Sequence, residues 1–120
     1  MPYIDGFVTP VPKNRLEDYR ALSELGGAVW REHGALEFHE CIADDVQPGK
    51  LTSFPQAVQL QDDEVVFLSY IVYNSRAERD TIMAKVMADP RLADMMEAKD
   101  LPFDGKRMFW GGFESFVSLK

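Results

Sequence analysis

The stretch "WREHGALEFHEC", Trp30 to Cys41, places His33, His39, Glu40 and Cys41 within nine positions. These residue types hold transition metals and move protons, so the spacing decides which chemistry is open to them. His39 and Cys41 are two apart on a stretch that reads as a strand, so they share a face and Glu40 points to the other. His33 falls in the last turn of the preceding helix, where a cation complements the negative end of the helix dipole. A closed zinc site needs four ligands, and the chain holds one Cys and two His in all. The expectation is therefore no metal site, but a helix-end His and a strand His beside a buried Cys. A thiolate at Cys41 activated by His39 is the alternative chemistry; packing is the commoner role of a lone Cys.

Two other patterns invite a reading. "PGKLTS" resembles a phosphate loop but lacks the first glycine, and Leu51 stands where Ser or Thr must bind magnesium, so it is a turn. The pairs Asp44-Asp45 and Asp62-Asp63 read as solvated turn acids. More informative are Asp5, Glu40 and Glu114, each set in a strand among apolar neighbours. A carboxylate there either pairs with a cation such as Lys106 or Arg107, or sits in a wet cavity with a raised pKa. The candidate catalytic residues are accordingly Glu114, His39 and Glu40. Tyr70, Trp110 and Phe109 are the candidates for binding an apolar substrate.

Those residues are carried by a short series of elements. "YIDGFVTPV" is a strand that Pro10 and Pro12 end. "NRLEDYRALSELGGAVWREHG" is a helix, with Asn14 as N-cap, Glu17 completing a capping-box pattern, and Gly34 as a left-handed stop. Gly26-Gly27 within it suggests close approach to a sheet. "ALEFHECIADD" and "DDEVVFLSYIVYNS" are strands, separated by a turn-rich excursion with one further short strand around Leu51 to Phe54. "SRAERDTIMAKVMAD" is a helix capped by Ser75 and Glu78, Asp89-Pro90 opens a short helical turn, and "RMFWGGFESFVSL" is the last strand. The order β-α-β-β-α-β suits a ferredoxin-like α+β fold with two helices on one face of an antiparallel sheet. At 120 residues, one domain spanning 1–120 is expected.

Both faces of that sheet are apolar. Val65, Phe67, Ile71 and Tyr73 alternate with Val66, Leu68, Tyr70 and Val72, and Phe109, Phe113 and Val117 oppose Met108, Trp110 and Phe116. Two helices cover one face, so a second copy is the simplest cover for the other. The expectation is a homodimer through the open sheet face, a dimeric α/β barrel.

The totals restrict the remaining classes. A net charge of −7 and pI near 4.7 disfavour nucleic-acid binding. The longest apolar-rich run, "VVFLSYIVY", is about half the ~20 residues a membrane span needs, and "MPYIDGFV" has no signal-peptide character. A single Cys fits a reducing cytoplasm.

"YIDGFV", "HGAL" with "EC" and "ADD", "PGK" with "TSF", and above all "DPR" followed by "PFDGKRM" and "GGFE" resemble the YbaA-like family of bacterial proteins, domain of unknown function 1428. The resemblance spans essentially the whole chain. It implies a ferredoxin-like fold and a dimeric α/β-barrel assembly, and transfers no catalytic residue. At the level of architecture the chain looks like small barrel enzymes such as cofactor-free monooxygenases, an analogy of fold alone. Two functions follow as expectations. One is a cytosolic barrel protein that binds or transforms a small apolar or aromatic molecule, without a bound cofactor, between sheet and helices near Tyr70, Trp110, His39 and Glu114. The other is a non-catalytic homodimeric binding or interaction module.

Overall fold

The structure is a computed structural model and describes residues 1–97 and 100–120. Its elements are β1 (Tyr3–Pro12), α1 (Leu16–Glu32), β2 (Glu37–Ile42), α2 (Phe54–Ala57), β3 (Glu64–Tyr73), α3 (Arg76–Met87), α4 (Pro90–Met96) and β4 (Phe109–Glu114). The four strands form one antiparallel sheet in the order β2-β3-β1-β4. The β-α-β-β-α-β succession is observed, with α2 and α4 as short additions.

Strand parity sets the two faces. Partners directly opposite share a face, and the register Tyr3↔Tyr73, Asp5↔Ile71, Phe7↔Ser69 and Thr9↔Phe67 puts the odd residues of β1 and β3 together. Even residues of β2 and β4 join them, through Phe38↔Ile71, Glu40↔Ser69, Phe7↔Trp110 and Asp5↔Gly112. This is the helix-covered face, where Tyr3, Ile71 and Tyr73 pack with Val29, Ile82, Val86 and Leu92.

Local chemistry explains most of the boundaries. Gly34 takes φ +118°, ending α1 in the left-handed conformation that only glycine adopts cheaply. Ser75 Oγ accepts the Glu78 backbone N–H, and Asp89 caps α4 with Pro90 in its first turn. Gly27 lies against β2: a Cβ there would stand 2.7 Å from Phe38 Cδ1, so this member of the glycine pair does permit close approach of helix to sheet.

Four boundaries differ from expectation. Asn14 does not cap α1, because Lys13–Arg15 form a 3-10 turn and the cap position passes to Arg15. Pro10 and Pro12 lie inside β1: β4 stops at Phe109 opposite Val8, so beyond it β1 has a free edge that needs no N–H donor. No strand forms at Leu51 to Phe54; Ser53 Oγ accepts the Gln56 N–H and Pro55 fits the first turn, so α2 forms instead. β4 ends at Glu114, leaving Phe116 and Leu119 exposed.

The second sheet face is covered only in part. Val58, with Ala43, Val46 and Leu60 of the excursion, packs over Val8 and Val66 at one end. The rest is bare, with Leu68 45%, Phe109 46% and Phe113 65% exposed. Cys41, expected to be buried, is exposed on this same face opposite Leu68. Among the described residues no helix is long and apolar enough to cross a membrane.

Candidate functional site

One row of side chains crosses all four strands on the helix-covered face. Glu40 of β2 stands opposite Ser69 of β3, Ser69 opposite Phe7 of β1, and Phe7 opposite Trp110 of β4. Above this row lies a cavity of about 390 Å³. α1 supplies Tyr19, Ser23 and Trp30 to its walls, while α3, α4 and the approach to β4 supply Met83, Met87, Met95, Met96 and Met108. Apart from Tyr19, Ser23, Thr9, Ser69 and Glu40, the lining is hydrocarbon, thioether and aromatic ring. Its Phe7 and Trp110 rings stack with centroids 6.0 Å apart.

Glu40 is the acid in this wall. Its Oε2 accepts hydrogen bonds from the Tyr19 hydroxyl at 2.9 Å and from the Ser69 hydroxyl. Burial pushes its pKa above the ordinary glutamate value, and the hydroxyls of Ser69, Tyr19 and Ser23 only partly oppose this by favouring the charged form. Tyr19 is pushed up too, first by burial and then by the negative charge of Glu40. A shallower groove of about 650 Å³ between α1 and β2 shares Tyr19, Ser23, Phe38 and Glu40 with the cavity. Glu40 therefore sits in the partition between a solvent-facing groove and an apolar interior.

The next row, Phe38–Ile71–Asp5–Gly112, holds the other strand acid in a different state. Asp5 is fully buried and accepts from Arg79 Nη2 at 2.9 Å, Arg79 Nε at 3.1 Å and the Tyr73 hydroxyl at 2.8 Å. Trp30 Nε1 in turn donates to the Tyr73 oxygen at 3.0 Å. Gly112 leaves the space: a Cβ there would collide with the Arg79 guanidinium and the Tyr3 ring. Arg79 lies 5.1 Å from the Tyr3 ring centre and 5.9 Å from that of Trp110, so this ion pair also backs one wall of the cavity.

Of the six candidates named from sequence, Glu40 and Trp110 line the cavity. His39, Tyr70 and Phe109 have the opposite parity and lie on the bare face, which corrects the expectation that His39 and Tyr70 sit between sheet and helices. There the His39 ring stacks on Tyr70, centroids 4.6 Å apart, and its Nε2 lies 3.0 Å from Glu37 Oε1. Glu114 is exposed at the end of β4 and does not reach the cavity. His33 Nε2 lies 2.9 Å from Asp89 Oδ2, tying the end of α1 to the start of α4. Asp5, Glu40 and Glu114 form no ion pair with Lys106 or Arg107: Asp5 takes Arg79, and Arg107 pairs with Glu64 at the start of β3 and with Asp104. Among the described residues no three His, Cys, Asp or Glu side chains converge as metal ligands. Tyr19 and Ser69 were not singled out from sequence. Ser69 is legible in retrospect as the single polar residue of "VVFLSYIVY", at the same parity as Phe67 and Ile71.

A family model described as a protein of unknown function, DUF1428, matches residues 2–105. The chain belongs to the DUF1428 family. The uncharacterized protein YbaA of Escherichia coli is 44% identical over 117 residues, covering 98% of each chain, and the YbaA of Shigella flexneri matches equally. Among solved structures, SnoaB of Streptomyces nogalater, described as a cofactor-independent oxygenase, superposes with a TM-score of 0.60 at 12% identity, over 98% of this chain and 96% of that one. A dimeric ferredoxin-like protein from an uncultured marine organism gives 0.56 at 12% identity, over 100% and 99%. At such identities the likeness is one of fold, and it places this DUF1428 chain among ferredoxin-like α+β proteins.

Proposed function

We propose that this DUF1428 protein is a homodimeric α/β barrel that binds or transforms a small apolar, aromatic molecule in the cavity without a bound cofactor, with Glu40 handling a proton. The observation that carries this reading is the placement of Glu40. It is a part-buried carboxyl with a raised pKa, hydrogen-bonded only by hydroxyls, in the wall of an otherwise apolar cavity whose far end holds Trp110. A packing role does not call for an acid there, whereas general acid–base work calls for a carboxyl whose pKa has been moved toward neutrality.

The division of labour follows from the geometry. Tyr19 and Ser69 both donate to Oε2, which holds the carboxyl in place while it keeps acceptor capacity for a ligand. Trp110, Phe7 and Trp30 present ring faces to a flat body, and the methionine side chains adapt to its outline. The groove between α1 and β2 gives the carboxyl a route by which its proton exchanges with water. The fold recurs in a protein described as a cofactor-independent oxygenase, which agrees with a site built from side chains alone.

The homodimer rests on the bare face. Leu68, Phe109 and Phe113 are exposed together there, a patch that a monomer in water leaves at a cost, and a protein of like fold is described as dimeric. His39, Tyr70 and Phe109 then belong to the interface and not to the cavity. A single exposed thiol at Cys41 suits a reducing compartment such as the cytoplasm.

A thermal-shift screen with neutral and charged two-ring aromatics tests the binding. A ligand at ~100 times its dissociation constant adds ~2.7 kcal/mol, and Trp110→Ala abolishes that shift. An absence of stabilisation across a broad set overturns the cavity reading and favours a non-catalytic dimeric module.

A further inference from the structure

The acids buried in this chain come with cations. Asp5 has Arg79, Glu64 has Arg107, and Asp89 has Arg91 and His33. Glu40 differs: its partners are the hydroxyls of Tyr19, Ser69 and Ser23, and among the described residues no Lys, Arg or His forms an ion pair with it. The cations of the neighbouring groove are occupied elsewhere. Arg20 pairs with Glu17 at 3.2 Å, and Arg31 donates to the carbonyl oxygens of Ala35 and Leu36.

The hydroxyls around Glu40 have also committed their protons. Tyr19 and Ser69 both donate to Oε2, so this pole of the cavity offers acceptors to a ligand more readily than donors. The same cavity is lined by the rings of Phe7, Trp30, Phe38 and Trp110, and aromatic rings attract a positive charge to their faces. Carboxylate, aromatic walls and thioethers together are unsuited to an anion, which would meet Glu40 while Arg79, behind Trp110, is committed to Asp5 and Asp80.

We propose that the ligand class of this cavity is a lipophilic organic cation: a flat aromatic body carrying one ammonium or protonated ring nitrogen that pairs with the Glu40 carboxylate. The proposal rests on the reading above that the cavity holds a small apolar molecule, and it supplies the charge that the site lacks. Proton handling then has a defined donor. The N–H⁺ group passes its proton to the carboxylate oxygen, leaving a neutral amine and a neutral acid, and the reverse step restores the ion pair. The protein's net charge of −7 enriches such cations at its surface.

Three matched probes separate the possibilities on the full-length protein: naphthylmethylamine, naphthylmethanol and naphthoate, measured by calorimetry and by quenching of tryptophan fluorescence. The amine is expected to bind roughly tenfold or more tightly than the alcohol, as a charge-assisted hydrogen bond allows, and naphthoate weakest. In Glu40→Gln the ratio of amine to alcohol affinity falls by at least about tenfold. Alcohol binding by that variant shows that it is folded. Between about pH 8 and about pH 5 the amine stays charged, so a fall in its affinity on acidification that Glu40→Gln removes reports proton uptake by Glu40. The other titratable and charged groups on the groove side, Glu17, Arg20, Glu24, Arg31, Glu37 and His39, act on the charged amine in wild type and Glu40→Gln alike, so the pH dependence is read as the difference between the two proteins. An alcohol that binds as tightly as the amine, with an unchanged ratio in Glu40→Gln, overturns the cation proposal and leaves the cavity reading standing. If none of the three binds, the cavity reading falls and takes the cation proposal with it.

Discussion

Removing the Asp5 carboxylate strands two groups at once. In Asp5→Ala the Arg79 guanidinium loses a bidentate partner, Nη2 to Oδ1 at 2.9 Å and Nε to Oδ2 at 3.2 Å, and the Tyr73 hydroxyl loses its acceptor at 2.8 Å. The Arg79 side chain is only 12% exposed, so water replaces Asp5 poorly, although Asp80 remains 2.9 Å from its other terminal nitrogen. Breaking one side of a buried pair costs about 3–5 kcal/mol, and the retained Asp80 contact puts the expectation near the lower end of that range. For a chain of this length that is a fall in Tm of about 10–20 °C. Urea unfolding at fixed protein concentration, followed by the emission of Trp30 and Trp110, reads both the loss and the disturbance of the cavity wall that Arg79 backs. The double variant Asp5→Ala/Arg79→Met removes the orphaned charge together with its partner. It is expected to be at least ~1 kcal/mol more stable than the sum of the two single losses. A cost below ~1 kcal/mol for Asp5→Ala, or simple additivity in the cycle, refutes the argument that this pair is coupled and desolvated.

Glu40→Gln is expected to stabilise the protein near neutral pH. Burial raises the folded-state pKa above the unfolded value of 4.5, so the folded protein holds the proton more tightly and loses stability as pH rises through the folded pKa. The gain from Gln should therefore be larger at about pH 8 than at about pH 4, and equal Tm shifts at both refute it. Gly26→Ala and Gly27→Ala, one residue apart, should move in opposite directions. The first meets only Met95 Cε at 3.7 Å and gains up to ~1 kcal/mol of helix propensity, whereas the second drives a methyl to 2.7 Å from the Phe38 ring. The resulting strain of about 1–3 kcal/mol exceeds that gain and displaces Phe38 from its place in the cavity wall, so chemical denaturation and ligand titration should both register a loss. Phe113→Glu, at an exposed site of the bare face, is expected to convert a dimer to a monomer in sedimentation; an unchanged dimer places the interface elsewhere.

The succession of strands and helices, the cap at Ser75, the helical restart at Asp89-Pro90, the stop at Gly34 and the two-faced apolar sheet were legible in the sequence. Each is a local signal, of period or of turn chemistry, that tertiary contacts reinforce. The parity of Glu40 against His39 and Cys41 was legible for the same reason. What the sequence did not supply was the phase between strands. Without the register Glu40↔Ser69↔Phe7↔Trp110, nothing tells that Trp110 shares a face with Glu40 while Tyr70 and Phe109 share one with His39. The partner of Asp5 was also hidden, since Arg79 is 74 residues away and Lys106 and Arg107 were equally plausible by charge. The excursion was misread because an apolar "LTSF" suits a strand by composition, while Ser53 and Pro55 favour a helix by geometry.

Asp5 and Glu40, both on the helix-covered face, show why Glu40 is the residue to follow. They sit in adjacent rows of the same sheet face, and the fold neutralises one of them completely. Asp5 receives a guanidinium and a phenol, and Gly112 withholds its side chain so that the guanidinium fits. That is the solution expected when a buried carboxylate serves the structure. At Glu40 the same fold offers hydroxyls only, in a cavity whose other walls are rings and thioethers. A valine or leucine in its place would pack against Ser69 and Phe38 with no ionisation to oppose. A sequence that provides a complete ion pair at Asp5 and leaves Glu40 without one is inconsistent with its own local rule, and such inconsistencies gather at functional sites. The missing charge is then a property of the ligand and not of the chain.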